Sequence, residues 1–284
     1  MTSKKYIYEI PDNENHPAKK VIKWIKNNSK VLEIGCASGI QSRILKENLG
    51  CRVTGLEIDP SAAVDAKPYC EDVIIGSIEE IDLSLALKNE NFDAILFVDV
   101  LEHLIDPLAT LKKILPFLNE NGVVIASIPN ISHSAICWEL AHGRFDYQKY
   151  GLLDNTHIRF FTKKNIIKLF EDAGYHIILW DRVIRTPEET EFNVHCSSAK
   201  DESFFDWIND LNPESNTYQF IVKAIPTSNT EESLYTKLDN VDQLVSKLSE
   251  LNKQNMLLKS KIDWLEKNRF GPFTSLFQKL IHRA

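Results

Sequence analysis

Apolar residues in this chain fall into short, nearly continuous runs closed by polar or turn residues, with amphipathic stretches between them. The runs are 30–34 (KVLEI), 52–58 (RVTGLEI), 72–75 (DVII), 92–98 (FDAILFV) and 123–128 (VVIASI). Runs of this length read as strands covered on both faces, the condition of a parallel sheet. The intervening stretches read as helices. Pro17 opens one at the favoured first position, with Val21, Ile22, Trp24 and Ile25 on its apolar side and a stop near Asn27-Asn28. Others cover 41–49 and 61–67, and a further one follows Asp106-Pro107, with Asp106 as cap. Pro116 ends or bends that helix, and Asn121-Gly122 reads as a turn. A helix over 132–142 ends at Gly143, and one capped by Thr162 ends at Gly174. Two last strands, 177–183 and 218–224, flank a polar insertion with a helix near 203–208. Strand alternating with helix places the fold in the α/β class, with a doubly wound sheet.

The pattern changes after residue 225. Residues 226–233 read as a linker, and residues 234–267 carry a seven-residue repeat. Leu234, Val241, Leu248, Asn255 and Ile262 occupy one core position, and Leu244, Leu251, Leu258 and Leu265 the other. This predicts a C-terminal coiled-coil helix, with Asn255 setting the register of a parallel dimer. Its partner is a second copy or another protein, and packing back on its own domain is the simpler alternative. Residues 268–284 form a basic amphipathic tail, with Phe273, Leu276, Phe277, Leu280 and Ile281 on one helical face. It suits docking on a partner or peripheral contact with an anionic membrane surface, against self-packing or disorder.

The first strand carries the most chemistry. KVLEIGCASG ends in an acid and a glycine turn, and a helix follows, so the loop is expected to present free N–H groups to a ligand. A dinucleotide fingerprint would need glycine at 37 and 40, where Ala37 and Ile40 stand, and no Gly-Lys-Ser/Thr follows for a phosphate loop. A cofactor without phosphate fits better and points to S-adenosylmethionine (SAM). Glu57 ends the second strand at the distance usual for a ribose-binding carboxylate, which accepts from both vicinal hydroxyls. Ser77 and Ile78 follow the third strand, where a hydrogen-bonding side chain and an apolar wall would meet a base.

Composition narrows the setting. The 284 residues are 43% hydrophobic, enough for one sizeable core with an appendage, and the formal charge is −7. An acidic chain without a basic stripe in its body argues against a nucleic-acid partner. Five scattered cysteines without C-x-x-C spacing read as reduced thiols rather than a zinc site or disulfide framework. No N-terminal apolar segment reads as a secretion signal and no run approaches the roughly 20 residues that span a bilayer, so the expected location is cytoplasmic, with the tail as an option for the inner membrane face.

VLEIGCASG, GLEIDP, FDAILFVDVLEHLIDPLATL, SIPN and GRFDYQKYGLLDNTHIRFFT together resemble the class I SAM-dependent methyltransferases, in a bacterial branch associated with surface-glycan biosynthesis. The likeness covers about residues 15–225 within a domain of 1–225, and the coiled coil is similar to appendages on glycan-assembly enzymes. It implies a Rossmann-like seven-stranded sheet whose last strand is antiparallel. It implies that Glu33, Gly35, Cys36 and Gly39 hold the methionine end of SAM, that Glu57 takes the ribose with Ile58 beside the adenine, that Ser77 and Ile78 line the adenine, and that Asp99 closes the pocket. Two departures stand out: Ala37 replaces the middle glycine, and Ser77 stands where aspartate is common, so weaker adenine contact is expected.

Methyl transfer to an alcohol needs a proton acceptor, worth about 10² to 10⁴-fold. His157, in the aromatic stretch 144–161, and His133, after the fifth strand, have suitable chemistry, and Asp154 is placed to orient His157 or act itself. Asn130, Tyr150 and Arg159 are the expected substrate contacts, Arg159 through a phosphate or carboxylate. Asp99, Glu102 and His103 offer an acid, acid, imidazole set for Mg²⁺, as a similar Glu-His pair does in some related methyltransferases. A capping box of Asp99 with Glu102 is the favoured explanation of that spacing. The acceptor is expected to be a sugar hydroxyl in a glycan or its precursor. Alternatives are another small molecule, such as a quinone or an amino sugar, and a SAM-binding scaffold for glycan-assembly partners.

Overall fold

The computed structural model describes residues 13–229, apart from 193 and 195–197, and in addition residues 255, 256 and 258–260. The chain divides into two units, 1–229 and 230–284. In the second, the described residues are helical and those with a described side chain are exposed. The remaining heptad positions and the tail lie outside the described residues.

The first unit is built on strands β1 (Lys30–Ile34), β2 (Arg52–Glu57), β3 (Asp72–Ile75), β4 (Phe92–Val98), β5 (Leu118–Pro129), β6 (Tyr175–Ile184) and β7 (Thr217–Pro226). They form one sheet in the order β3-β2-β1-β4-β5-β7-β6. Neighbours from β3 to β5 pair in parallel, and β7 runs antiparallel to both β5 and β6. The helices are α1 (Pro17–Ile22), α2 (Ile40–Leu49), α3 (Pro60–Ala66), α4 (Leu83–Ala86), α5 (Pro107–Ile114), α6 (Ser134–Ala141), α7 (Lys163–Asp172) and α8 (Ala199–Leu211). None among the described residues is long and apolar enough to cross a membrane.

Alternation along the strands divides the core in two. Leu32, Ile34, Ile95, Phe97, Val124 and Phe220 join Leu111 and Ile114 of α5 and Ile166 and Phe170 of α7 in one apolar cluster. Val31, Val53, Leu96, Ile125 and Ile221 join Val21 of α1, Leu45 of α2 and Ile136 of α6 in the other. Both faces are covered, which is why the strands read as continuous apolar runs. Each fully buried Leu, Ile or Phe contributes roughly 1.5–3 kcal/mol.

The punctuation matches the sequence where the cap is local. Asp59 accepts from Ser61 N at 2.8 Å and Asp106 from Ala109 N at 2.9 Å, and Thr162 closes a capping box with Asn165. Departures have local causes. Helix α1 stops at Ile22, well before Asn28, which is left-handed at φ 60°. No turn interrupts 121–122; β5 runs through it with a register shift opposite Phe92, and a Cβ on Gly122 would lie 2.9 Å from Asn119 N and O and from Phe92 O. Helix α8 is longer than the periodicity suggested because Ser198 and Asp201 form a capping box.

The strand order reverses between β1 and β4. In open α/β sheets ligands bind beyond the carboxyl ends of the strands at such a reversal. There the loop after β1 faces the turn after β4.

Candidate functional site

The loop after β1 has three left-handed residues in five: Gly35 at φ 70°, Ala37 at 48° and Gly39 at 78°. Gly35 is exposed, and a Cβ there would come within 2.8 Å of Val100 Cγ2, so glycine keeps the space between β1 and the β4 turn open. A Cβ at Gly39 would strike the Ala66 backbone of α3 at 2.8 Å. The amides of Gly35, Cys36, Ala37 and Gly39 are used internally, whereas α2 opens at Gly39 without a side-chain cap. Gly35 N and Cys36 N donate to Leu56 O at 2.7 and 3.2 Å, and Gly39 N to Cys36 O at 2.8 Å. Ala37 N donates to Glu57 Oε2 and Asp59 N to Glu57 Oε1, each at 2.8 Å. Each Glu57 oxygen keeps a further lone pair, so a carboxylate held by two backbone amides is set to accept a pair of neighbouring hydroxyls. Exposed Ile58 follows it and offers an apolar face.

Other expected cofactor contacts sit elsewhere. Glu33 is buried, accepts from the Ser42 hydroxyl, and burial pushes its pKa up to about 8. It lies buried under the loop, engaged with Ser42, rather than at the surface. Cys36 turns its thiol inward over β2, where a Cβ on Gly55 would lie 2.6 Å from it. Ile78 is buried in the core cluster with Leu83 and Leu87 rather than walling a ring. Ser77 is half-buried, and its Oγ accepts from Glu79 N at 3.2 Å.

Asp99 follows β4 at φ 55° and does not cap the next turn. Its Oδ1 accepts from Ser127 Oγ at 2.5 Å and Gln219 Nε2 at 2.6 Å, tying β4, β5 and β7 together. The capping-box explanation of the Asp99–Glu102 spacing therefore fails: the turn over Leu101–His103 is 3-10, and Asp99 is committed sideways along the sheet.

That turn builds an acid and imidazole cluster. Glu102 is 1% exposed, and neither carboxylate oxygen has a hydrogen-bond partner among the described residues. Burial, reinforced by the charge of Asp99, holds its pKa well above the carboxylate range. The Glu102 carbonyl accepts from Ile158 N at 3.0 Å and Arg159 N at 2.9 Å, fastening the 144–161 stretch to the end of β4. His157 thus arrives with Nε2 4.0 Å from Glu102 Oε1 and Nδ1 3.3 Å from Leu152 O. His103 donates Nδ1–H to Thr156 O at 3.0 Å, and its ring meets His157 edge-on at 4.8 Å between centroids. One ligand atom from each of Glu102, His103 and His157 lies within 4.8 Å of the others. The set a cation would find is therefore Glu102, His103 and His157, with Asp99 replaced by a residue far along the chain.

The remaining expected residues divide between surface and framework. His133 is fully buried and caps α6, its Nδ1 accepting from Ala135 N at 3.2 Å while Nε2–H donates to Arg185 O at 2.9 Å. Burial lowers its pKa to about 4, and both ring nitrogens are engaged with backbone. Asn130 is equally buried: Nδ2 donates to Thr217 O and Glu214 O, and Oδ1 accepts from Ser132. It ties the end of β5 to the segment entering β7, which removes it as a substrate contact. Asp154 Oδ1 accepts from Thr156 N and Oγ1 and shapes the turn carrying His157. The Arg159 guanidinium grips Ile105 O through Nε and Nη2, a bond that uses two of its five N–H donors. Tyr150 is 70% exposed, and Tyr147, Phe145 and Ile158 are exposed near it in sequence.

Two contributors were missed. Gln219 reads in sequence as one polar position of a strand, and Glu191 as a charge in a polar insertion. Glu191 accepts from Leu152 N and, at 2.9 Å, from Tyr218 OH, clamping the aromatic stretch to β7. A polar residue interrupting an apolar strand was the available signal for Gln219.

The profile of a methyltransferase domain family matches residues 13–179. A ubiquinone biosynthesis O-methyltransferase of Histophilus somni is 30% identical over 168 residues, covering 52% of this chain and 68% of its own. One from Cereibacter sphaeroides is 28% identical over 149 residues, covering 51% of this chain and 59% of its own. Among solved structures, a SAM-dependent methyltransferase of Thermotoga maritima is 17% identical with a TM-score of 0.50, over 74% of this chain and 87% of that one, a likeness of fold.

Proposed function

The chain belongs to the methyltransferase domain family and is a SAM-dependent methyltransferase, and on that premise we propose that it methylates a hydroxyl of a small acceptor, a sugar in a glycan or in a nucleotide- or lipid-linked precursor. When bound, SAM supplies an electrophilic methyl on a sulfonium leaving group. Glu57 takes the ribose hydroxyls on a carboxylate already oriented by Ala37 N and Asp59 N. Gly35 leaves room for the methyl-bearing end, and Ile58 gives the adenine an apolar neighbour. The chain's task is to align the acceptor oxygen and remove its proton.

The observation that carries the reading is the meeting of Glu102, His103 and His157 beside Val100, the residue that faces Gly35. His157 is the proton acceptor in this scheme, its Nδ1–H fixed on Leu152 O so that the lone pair lies on Nε2. Tyr147 and Tyr150 offer exposed ring faces for a sugar. Incubation of the protein with methyl-labelled SAM and separate pools of sugar nucleotides, lipid-linked glycans and phenolic quinone precursors tests it. Label in a sugar hydroxyl is expected; label confined to the phenols overturns the glycan acceptor and leaves O-methylation standing.

Two specific observations favour other versions. The relatives are named for ubiquinone biosynthesis, which favours a quinone-type acceptor. The unpartnered Glu102 oxygens favour a divalent cation held by Glu102, His103 and His157 that orients the acceptor oxygen. Loss of turnover in EDTA and its return with Mg²⁺ would establish the metal version, and unchanged turnover would remove it. Residues 234–267 are read as a pairing helix for a homodimer or a glycan-assembly partner, which sedimentation of the full-length chain tests.

A further inference from the structure

Behind the cofactor loop, two thiols share one small space. Gly55 in β2 carries no side chain, and a Cβ there would lie 2.6 Å from Cys36 Sγ and 3.2 Å from Cys70 Sγ. Both sulfurs therefore sit over the same point of the strand. Cys36 is buried between Gly35 and Ala37, while Cys70, in the segment between α3 and β3, is partly accessible. Both are free thiols. Cys70 Sγ also lies 3.4 Å from the Ser42 hydroxyl, which is bonded to Glu33.

We propose that Cys36 and Cys70 form a peroxide-sensitive thiol pair that closes a disulfide beneath the cofactor loop. The roles of the two differ. Cys70 is the partly accessible thiol and Cys36 the buried one, so peroxide meets Cys70 first: Cys70 is the attacking thiol and Cys36 the resolving one. Coupling to Cys36 also holds the Cys70 thiol below its ordinary pKa and raises that of Cys36. The Cys70 thiolate attacks one oxygen of hydrogen peroxide; the S–O bond forms, the O–O bond breaks, and hydroxide leaves. The Cys36 sulfur then attacks the Cys70 sulfenic sulfur; the S–S bond forms, the S–O bond breaks, and the hydroxyl departs as water with the Cys36 proton. Two thiols lose two electrons to one peroxide. The disulfide pulls Cys36 toward Cys70 and displaces the adjoining Ala37 amide from Glu57.

The test treats reduced full-length protein with hydrogen peroxide, alkylates the remaining thiols and maps the peptides. A Cys36–Cys70 linked peptide that dithiothreitol reverses is expected, with Cys51 and Cys137 alkylated. SAM affinity by calorimetry should fall about tenfold or more on oxidation and return on reduction. In Cys36→Ser, Cys70 should stop at a sulfenic acid trapped by dimedone; in Cys70→Ser, Cys36 should stay reduced. Cysteines oxidised indiscriminately, or a pair still reduced when Cys137 is oxidised, would overturn the pairing. A linked peptide with unchanged SAM affinity would overturn the coupling to the loop. That coupling rests on the SAM reading, whereas the peptide map does not: protein that binds no SAM even when reduced refutes that reading and leaves the disulfide assignment to be judged by mass alone.

Discussion

Ala37 N donates to Glu57 Oε2 at 2.8 Å, joining the turn after β1 to the end of β2 across twenty residues. The bond holds a left-handed non-glycine residue in place and aims the carboxylate. Glu57→Gln puts an amide NH₂ against one of the two backbone donors and removes the charge. SAM affinity should fall about 10 to 100-fold, since hydrogen bonds to charged groups are worth roughly 1.5–3 kcal/mol. Calorimetric titration checks this, and an unchanged dissociation constant would take Glu57 out of the cofactor site.

His157→Ala should lower kcat by about 10² to 10⁴-fold with SAM affinity preserved, as expected for loss of a proton acceptor. Glu102→Gln separates charge from shape. Burial pushes the Glu102 pKa up, and glutamine keeps almost the same size while removing the ionisable group. Its melting temperature should stay close to that of the parent. A large loss of turnover in this folded variant would mean that the ionised carboxylate works, as the metal version requires; retained turnover would make Glu102 a framework residue.

His133 predicts an acid-sensitive fold. Its folded pKa is about 4 against an ordinary 6.5, so between those values the unfolded chain binds more protons. The associated stability is fully present above about pH 6.5 and is lost as pH falls through about 4, amounting to roughly 3–3.5 kcal/mol in full. Urea unfolding at pH 7 and pH 4.5 measures it. His133→Asn keeps a capping side chain for α6, starts lower at pH 7 without the bond to Arg185 O, and should show a flatter acid limb. Equal pH slopes in the two proteins would contradict the assignment.

Gly55→Ala should cost about 1–3 kcal/mol, the range for overpacking a filled interior. The new methyl would meet Cys36 Sγ at 2.6 Å. Removing that sulfur with Cys36→Ala should recover part of the loss, so thermal melts of the four proteins in a double-mutant cycle should show a favourable coupling between the two substitutions. Additive losses would mean that the sulfurs do not occupy the space over Gly55.

Legibility followed the range of the interactions. Strands β1 to β4 and the caps Asp59, Asp106 and Thr162 stand close to where the pattern puts them, because apolar runs and capping side chains act within a few residues. The placing of Glu57 against the loop after β1 could be read because β1, α2 and β2 are consecutive and their spacing is constrained. For Glu33, Ile78, His133 and Asn130, a residue type at a strand or helix end does not reveal which way its side chain turns. Glu33 finds Ser42, and His133 finds Ala135 and Arg185; each choice depends on elements packed from elsewhere.

The sequence by itself determined the α/β class, the order of the strands and of every helix but α4 in the first unit, and a turn suited to SAM rather than to a dinucleotide. All three follow from local patterning and from glycine's access to left-handed backbone. Only the tertiary structure decided the company of Glu102. Pairing of β1 with β4 brings Val100 to Gly35, and backbone bonds from Ile158 and Arg159 to the Glu102 carbonyl swing His157 onto the same carboxylate. It likewise seated Cys70 against Cys36 over Gly55. Such contacts join segments far apart in the chain, and no periodicity or spacing carries them, because they exist only once the sheet has been closed and covered.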